Sequence, residues 1–177
     1  KLAKDLDIAL TIHAPYFVNL NSDEPEKLAA SERRIIAALS MGQVCGALSV
    51  CVHAAFNGKK DSATVTENVR RATDRILSKK AKLFPNVNLA YETMGKHAQW
   101  GTLLEVLAIS KEFDIYPCVD TAHMHARSNG GMNTEEEWEE LFDAYAKALG
   151  KKSLQNMHVH YSGINYGPAG EKNHLPI

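Results

Sequence analysis

Ala47-Leu48-Ser49-Val50-Cys51-Val52-His53 is a run of apolar and small residues that ends on an imidazole, and four other stretches follow the same plan. They are ALTIH (Ala9 to His13), VNLAYE (Val87 to Glu92), YPCVD (Tyr116 to Asp120) and LQNMH (Leu154 to His158). Short apolar runs bounded by polar segments suit strands buried on both faces, as in parallel sheets. Each strand then delivers one acid or histidine at its end: His13, His53, Glu92, Asp120 and His158. In a parallel sheet these ends share one rim, the rim at which a β/α barrel keeps its chemistry.

Between the runs lie segments of helical spacing. Pro25 to Leu39 repeats apolar residues at Leu28, Ala29, Ile35, Ile36 and Leu39, with Ser22 or Asp23 as the expected cap. Asp61 to Lys82 opens on Asp61 or Ser62, a third helix runs from about Trp100 to Lys111, and Thr134 caps Glu135 to Leu149. The leading glutamates of that last helix suit its positive end, and Gly150 stops it. The stretch through Gly130 and Gly131 and everything after His160 read as loop. Strands Ile8 to His13, Ala47 to His53, Val87 to Glu92, Ile115 to Asp120 and Gln155 to His160 thus alternate with four helices.

The pattern predicts an α/β chain with a parallel sheet and helical crossovers. A complete (β/α)8 barrel takes about 250 residues. A chain of 177 residues that opens in the tail of a helix is therefore expected to be one domain, 1–177, holding an incomplete TIM barrel without its first and last strands. An open, doubly wound five-stranded sheet is the alternative, but its ligand site draws on about two strand ends. Ligands on all five ends favour a closed ring.

Composition is that of a globular protein, 45% hydrophobic and 23% charged, with a net charge of −1. Nothing reaches the roughly 18 apolar residues of a membrane span, and Lys1 to Asp5 does not lead into a secretory signal, so a cytoplasmic protein is expected. Near-neutral charge argues against binding to nucleic acid by bulk electrostatics, but a local patch can hide in the average and metal ions at a site would shift the local balance, so composition does not exclude a nucleic-acid substrate. Cys45, Cys51 and Cys118 lack disulfide or zinc-ribbon spacing and read as reduced core thiols. Cys51 and Cys118 each precede a strand-end ligand by two residues and so share its face.

Imidazole and carboxylate together suit Zn, Mn or Fe, and a bridging carboxylate lets two ions act on one water. His13, His53 and Glu92 could hold one ion, and Glu92, Asp120 and His158 a second. His123, delivered by the loop after Asp120, could complete a third site with Glu171 and His174. His160 shares the inward face of His158 and could support it by a hydrogen bond. His97 and His125 read as solvated loop residues, and Trp100 and Trp138 as packing residues on helices.

The ordered segments His13-Ala14-Pro15-Tyr16, Val52-His53, Tyr91-Glu92-Thr93-Met94-Gly95-Lys96, Cys118-Val119-Asp120-Thr121-Ala122-His123, Met157-His158-Val159-His160 and Glu171-Lys172-Asn173-His174 resemble the endonuclease IV family, in its archaeal form. The resemblance runs from Ile8 to the last residue, and Asp-Thr-x-His and His-x-x-Tyr are its more specific elements. It implies an AP endonuclease of base-excision repair, of the deoxyribonuclease IV type, on a xylose-isomerase-like TIM barrel. Such an enzyme hydrolyses DNA 5′ to an abasic site with up to three Zn2+, Mn2+ being an alternative.

By motif position the resemblance assigns His13, His53 and Glu92 to the first zinc, with Glu92 the catalytic bridge. It assigns Asp120 and His158 to the second, and His123, Glu171 and His174 to the third. Tyr16 matches an aromatic that engages DNA, and Lys96, Arg127 and Lys172 would touch flanking phosphates. The implied partner is double-stranded DNA containing abasic sites, bound by a monomer without a membrane. The rival expectations are a metal-dependent sugar isomerase or epimerase of the same barrel superfamily and an inactive truncated barrel.

Overall fold

The computed structural model describes residues 2–177; Lys1, part of the helix tail read at the chain start, lies outside the described residues. In chain order the elements are α1 (Leu2–Asp5), β1 (Thr11–His13), α2 (Pro25–Cys45), β2 (Ser49–Val52), β3 (Ala55–Phe56), α3 (Ser62–Leu83), β4 (Asn88–Glu92), β5 (Gln99–Trp100), α4 (Leu103–Phe113), β6 (Tyr116–Asp120), α5 (Thr121–Arg127) and α6 (Glu135–Leu149). A 3-10 turn, Lys151–Asn156, then leads into β7 (His158–His160), β8 (Gly163–Gly167) and β9 (Gly170–Leu175).

Strands β1, β2, β4, β6 and β7 form one all-parallel sheet in that spatial order. The order never reverses, so the sheet has no doubly wound switch point. It also curls. Ser49 Oγ on β2 lies 3.5 Å from His158 Nδ1 on β7, three strand spacings away, a gap of about 14 Å in a flat sheet. The fold is therefore the TIM-barrel type, represented by five parallel strands with helices outside.

Strand alternation divides the core. Val50, Val52, Leu89 and Tyr91 face outward and pack, fully buried, against Ile35 and Leu39 of α2 and Val69 and Ile76 of α3. A smaller cluster joins Val119 to Leu107 of α4 and to Leu141 and Tyr145 of α6. Inward, the strands carry small residues: Cys51, Ala90 and Cys118 make a separate buried group. The bulky branched residues that usually fill a barrel are absent from this layer, which leaves the rim above it polar.

Helix ends follow local chemistry. The Asp61 carboxylate accepts from the Thr64 amide, and Thr102 and Thr134 form capping boxes with Glu105 and Glu137. Ser22 and Asp23 are not the cap of α2: Glu24 holds that position without a side-chain bond, and Pro25, with no N–H to satisfy, opens the helix.

Four other readings are corrected. Trp100 lies on β5, paired with β3, and its indole donates to Thr66 Oγ1. The residues after Asp120 form helix α5, because the Asp120 carboxylate accepts from the His123 amide and supplies the cap. The segment 163–175 is the antiparallel hairpin β8/β9, so Glu171 and His174 sit on a strand. Strand β7 starts at His158, three residues later than read, because Lys151–Asn156 wind into a 3-10 turn.

Among the described residues no helix is long and apolar enough to cross a membrane. Leu89 is fully buried between the strands and α2 and α3. Leu89→Ala should cost about 2–5 kcal/mol, read as a lower urea midpoint at unchanged slope.

Candidate metal centre

Glu92 ends β4 at the rim and is 2% exposed. A lone carboxylate at that depth costs several kcal/mol, and here imidazoles surround it. Its Oε2 lies 3.1 Å from His13 Nε2 and 3.0 Å from His53 Nε2; its Oε1 lies 3.0 Å from His160 Nδ1 and 3.5 Å from His123 Nδ1. Burial pushes the Glu92 pKa up, but the hydrogen bonds from His13, His160 and His53 outweigh it and hold the group ionised far below the usual carboxylate range. At His13 burial favours the neutral ring, and the bonds to Glu92 and the Ala14 carbonyl reverse that, so its pKa is raised.

Backbone carbonyls fix the tautomers. A carbonyl only accepts, so the Nδ1–H of His13 donates to Ala14 O at 2.7 Å and that of His123 to Thr93 O at 2.9 Å. Each ring then turns Nε2 into the mouth. His123 Nε2 meets His174 Nε2 at 3.1 Å and Glu171 Oε2 at 3.4 Å. The His123 Nε2 accepts from the His174 Nε2–H, and a cation between the two rings would take the place of that proton. Two sets of donor atoms, His13/His53/Glu92 and Asp120/His123/His174, each lie within 4.8 Å of one another. The donor chemistry fits divalent metal.

The residues named from the sequence divide as follows. His13, His53, Glu92, Asp120, His123, Glu171 and His174 converge on a mouth of about 500 Å³. His158 does not. It pairs with Cys118 one layer below, while His160 pairs with Asp120 and stands at the rim, 3.8 Å from Asp120 Oδ2. The rim position expected for His158 therefore belongs to His160, two residues further along the same face, as the β6/β7 register dictates. The signal for this was available: the run extends through Val159 to His160, and both histidines share a face.

Tyr16 is 67% exposed, with its ring 5.1 Å from the rings of both His13 and His53. Arg127 is half-buried, and one guanidinium nitrogen donates to the carbonyls of Met94, Lys96 and Gln99, bracing the loop after β4. Lys96 is half-buried in that loop and bridges Gly170, and Lys172 is exposed on β9. His125 is half-buried against Tyr166 on α5, while exposed His97 bonds the Arg127 carbonyl.

Two glycines dock the hairpin. A Cβ on Gly95 would lie 2.7 Å from Glu171 Cβ and 3.0 Å from the His123 ring. Gly170 has φ +94, and a Cβ there would collide with the Gly95 carbonyl, which accepts the Glu171 amide at 3.0 Å. Gly170→Ala should lift the hairpin from the loop. Hydrogen exchange should rise over residues 171–175 while the amides of β4 stay protected.

The His160 ring, bonded to Cys118 and to Glu92, has its pKa pushed up to about 10. A raised pKa stabilises the fold fully below the unfolded value of about 6.5 and loses that contribution as pH climbs through the folded value. Metal-stripped protein should therefore lose stability between those limits. His160→Ala should flatten that part of the pH–stability curve.

With this geometry in view, the comparisons place the chain. The xylose isomerase-like TIM barrel family model matches residues 1–177. An uncharacterized protein of Methanocaldococcus jannaschii is 37% identical over 171 residues, 97% of this chain and 62% of that protein. A probable endonuclease 4 of Staphylococcus saprophyticus is 23% identical, over 89% of this chain and 53% of its own length. The chain thus spans between about half and about three-fifths of these relatives' length. Among solved structures, endonuclease IV from Thermus thermophilus superposes with a TM-score of 0.70 at 21% identity, covering 96% of this chain and 59% of that one. The 3-keto-D-glucoside 4-epimerase of E. coli superposes at 0.65 and 15% identity, covering 90% and 61%. At such identities the superpositions establish the fold.

Proposed function

This chain belongs to the xylose isomerase-like TIM-barrel family, and from that membership we propose that it serves as one domain of a metal-dependent hydrolase that cuts DNA 5′ to abasic sites. The observation that carries the reading is the junction of two ligand sets through His123, which reaches Glu92 on one side and Glu171 and His174 on the other. Phosphodiester hydrolysis needs a hydroxide, a clamp on the non-bridging oxygens and a stabilised leaving alkoxide. Divalent ions supply these together when bound side by side, Zn2+ foremost and Mn2+ as the alternative. Curated relatives from Staphylococcus saprophyticus and Oceanobacillus iheyensis, both called probable endonuclease 4, support the same activity.

The chain's own residues have distinct tasks in this scheme. Glu92 stays ionised and joins the His13/His53 side of the mouth to the His160/Asp120 side. The Ala14 and Thr93 carbonyls orient the His13 and His123 rings so that each turns its Nε2 into the mouth. Tyr16, exposed over the two histidines, offers a ring against the sugar or base beside the lesion, and exposed Lys172 offers charge to a phosphate. An abasic nucleotide also leaves the stack at lower cost than a paired base, so a recessed mouth favours it.

A sugar isomerase would need two acids poised to move protons. Here Glu92 is held by imidazoles, and Asp120 accepts the His123 amide at 2.7 Å. The deciding assay offers zinc-loaded protein a duplex with one abasic site. A nick 5′ to the lesion, abolished by chelation and reduced about a hundredfold or more in Glu92→Gln, is the expected result. Intact DNA together with turnover of a ketose would replace this reading with an isomerase, and neither activity would leave an inert barrel.

A further inference from the structure

Beneath the histidine rim, the inward face carries a third donor set, whose two thiols the hydrolytic scheme leaves unused. Cys51 on β2 and Cys118 on β6 flank Ala90 on β4, and all three are buried. The Cys51 thiol donates to Glu92 Oε2 at 3.0 Å. One donor atom from each of Cys51, Cys118, Glu92 and His160 lies within 4.8 Å of the other three. His158, in register with Cys118, packs edge-on against His160 with ring centroids 5.0 Å apart. Ala90 is the neighbour between the thiols, so no bulky side chain fills the space they enclose.

Two simpler roles fit less well. Cysteines that only fill a core sit among hydrocarbon, whereas these stand apart from both apolar clusters and touch a carboxylate and imidazoles. A disulfide is out of reach. The two residues lie on strands separated by β4, about 9–10 Å apart across the sheet, and a disulfide needs Cα atoms within about 7 Å.

We infer that Cys51, Cys118, His160 and the inner oxygen of Glu92 form a thiolate site for a soft divalent cation of the zinc type, one layer below the mouth. Ligand atoms around a tetrahedral zinc, with bonds of about 2.3 Å to sulfur and 2.0–2.2 Å to nitrogen or oxygen, stand about 3.3–3.8 Å apart. The four donor atoms all lie within 4.8 Å of one another, so they close by about 1.5 Å at most to reach that spacing. Two sulfurs select zinc, cadmium or cobalt over magnesium or calcium. Binding expels the thiol protons and the extra proton of the His160 imidazolium, which leaves two thiolates and a neutral imidazole around the cation. The site stands whether or not the protein cuts DNA, since neither thiol has a task in that reaction.

The test uses the reduced intact chain, stripped of metal and titrated with Co2+, in a Cys45→Ser background that removes the exposed third thiol. Thiolate ligation gives a sulfur-to-cobalt charge-transfer band in the near ultraviolet, which imidazole and carboxylate ligation does not. The expected result is that band, weakened in Cys51→Ser and in Cys118→Ser and absent from the double variant. X-ray absorption of zinc-saturated protein, freed of unbound metal, needs no change at either thiol and should show sulfur at about 2.3 Å. Cobalt visible bands without the ultraviolet band, or a zinc shell of nitrogen and oxygen alone, would overturn the inference while leaving the DNA assay to be judged separately.

Discussion

A single buried carboxylate organises this molecule. Glu92 sits at the end of β4 with four imidazoles and a thiol directed at its two oxygens. Burying that charge is costly, and the cost is offset only when every neighbouring strand delivers its donor at the same height. The parallel register does this. Cys51 pairs with Ala90, Glu92 with Cys118 and Asp120 with His160, so side chains from separate crossovers meet in layers. Apolar packing of α2 and α3 on the outer face holds the strands in that register.

Much of the site was legible from the residues because the signal is local. His13, His53, Glu92 and Asp120 each close a short apolar run, and strand alternation then dictates their face. The sites of error share a cause as well. In β7 the apolar pattern is thin and a 3-10 turn consumes its start, so the sequence reading begins the strand too early and takes His158 as the rim ligand, with His160 left in a supporting role. The β8/β9 hairpin has no alternating apolar signature: GINYG and GEKNHL are mixed and polar, and their pairing depends on a dock against Gly95 that no local window contains. Arg127 reads as a phosphate contact, and no local window shows that one of its guanidinium nitrogens reaches three carbonyls of a distant loop.

Helix α5 shows how one side chain can serve two levels of structure. The Asp120 carboxylate closes β6, caps the following helix through the His123 amide and faces the mouth with its other oxygen. Capping aims the helix, and the helix aims His123 between Glu92 and His174. A group that might seem free for proton transfer is thereby committed to geometry.

The hairpin that carries Glu171 and His174 is tied to the loop after β4 by main-chain atoms: the Glu171 amide on the Gly95 carbonyl, the Lys96 and Gly170 bridge, and the His97 amide on the Ala169 carbonyl. Because that attachment runs through main-chain atoms, the residues of the two strands that face outward are free to diverge in charge and size without loosening it. A lineage could thus retune which polymer or small molecule the rim greets while its inner chemistry stays fixed.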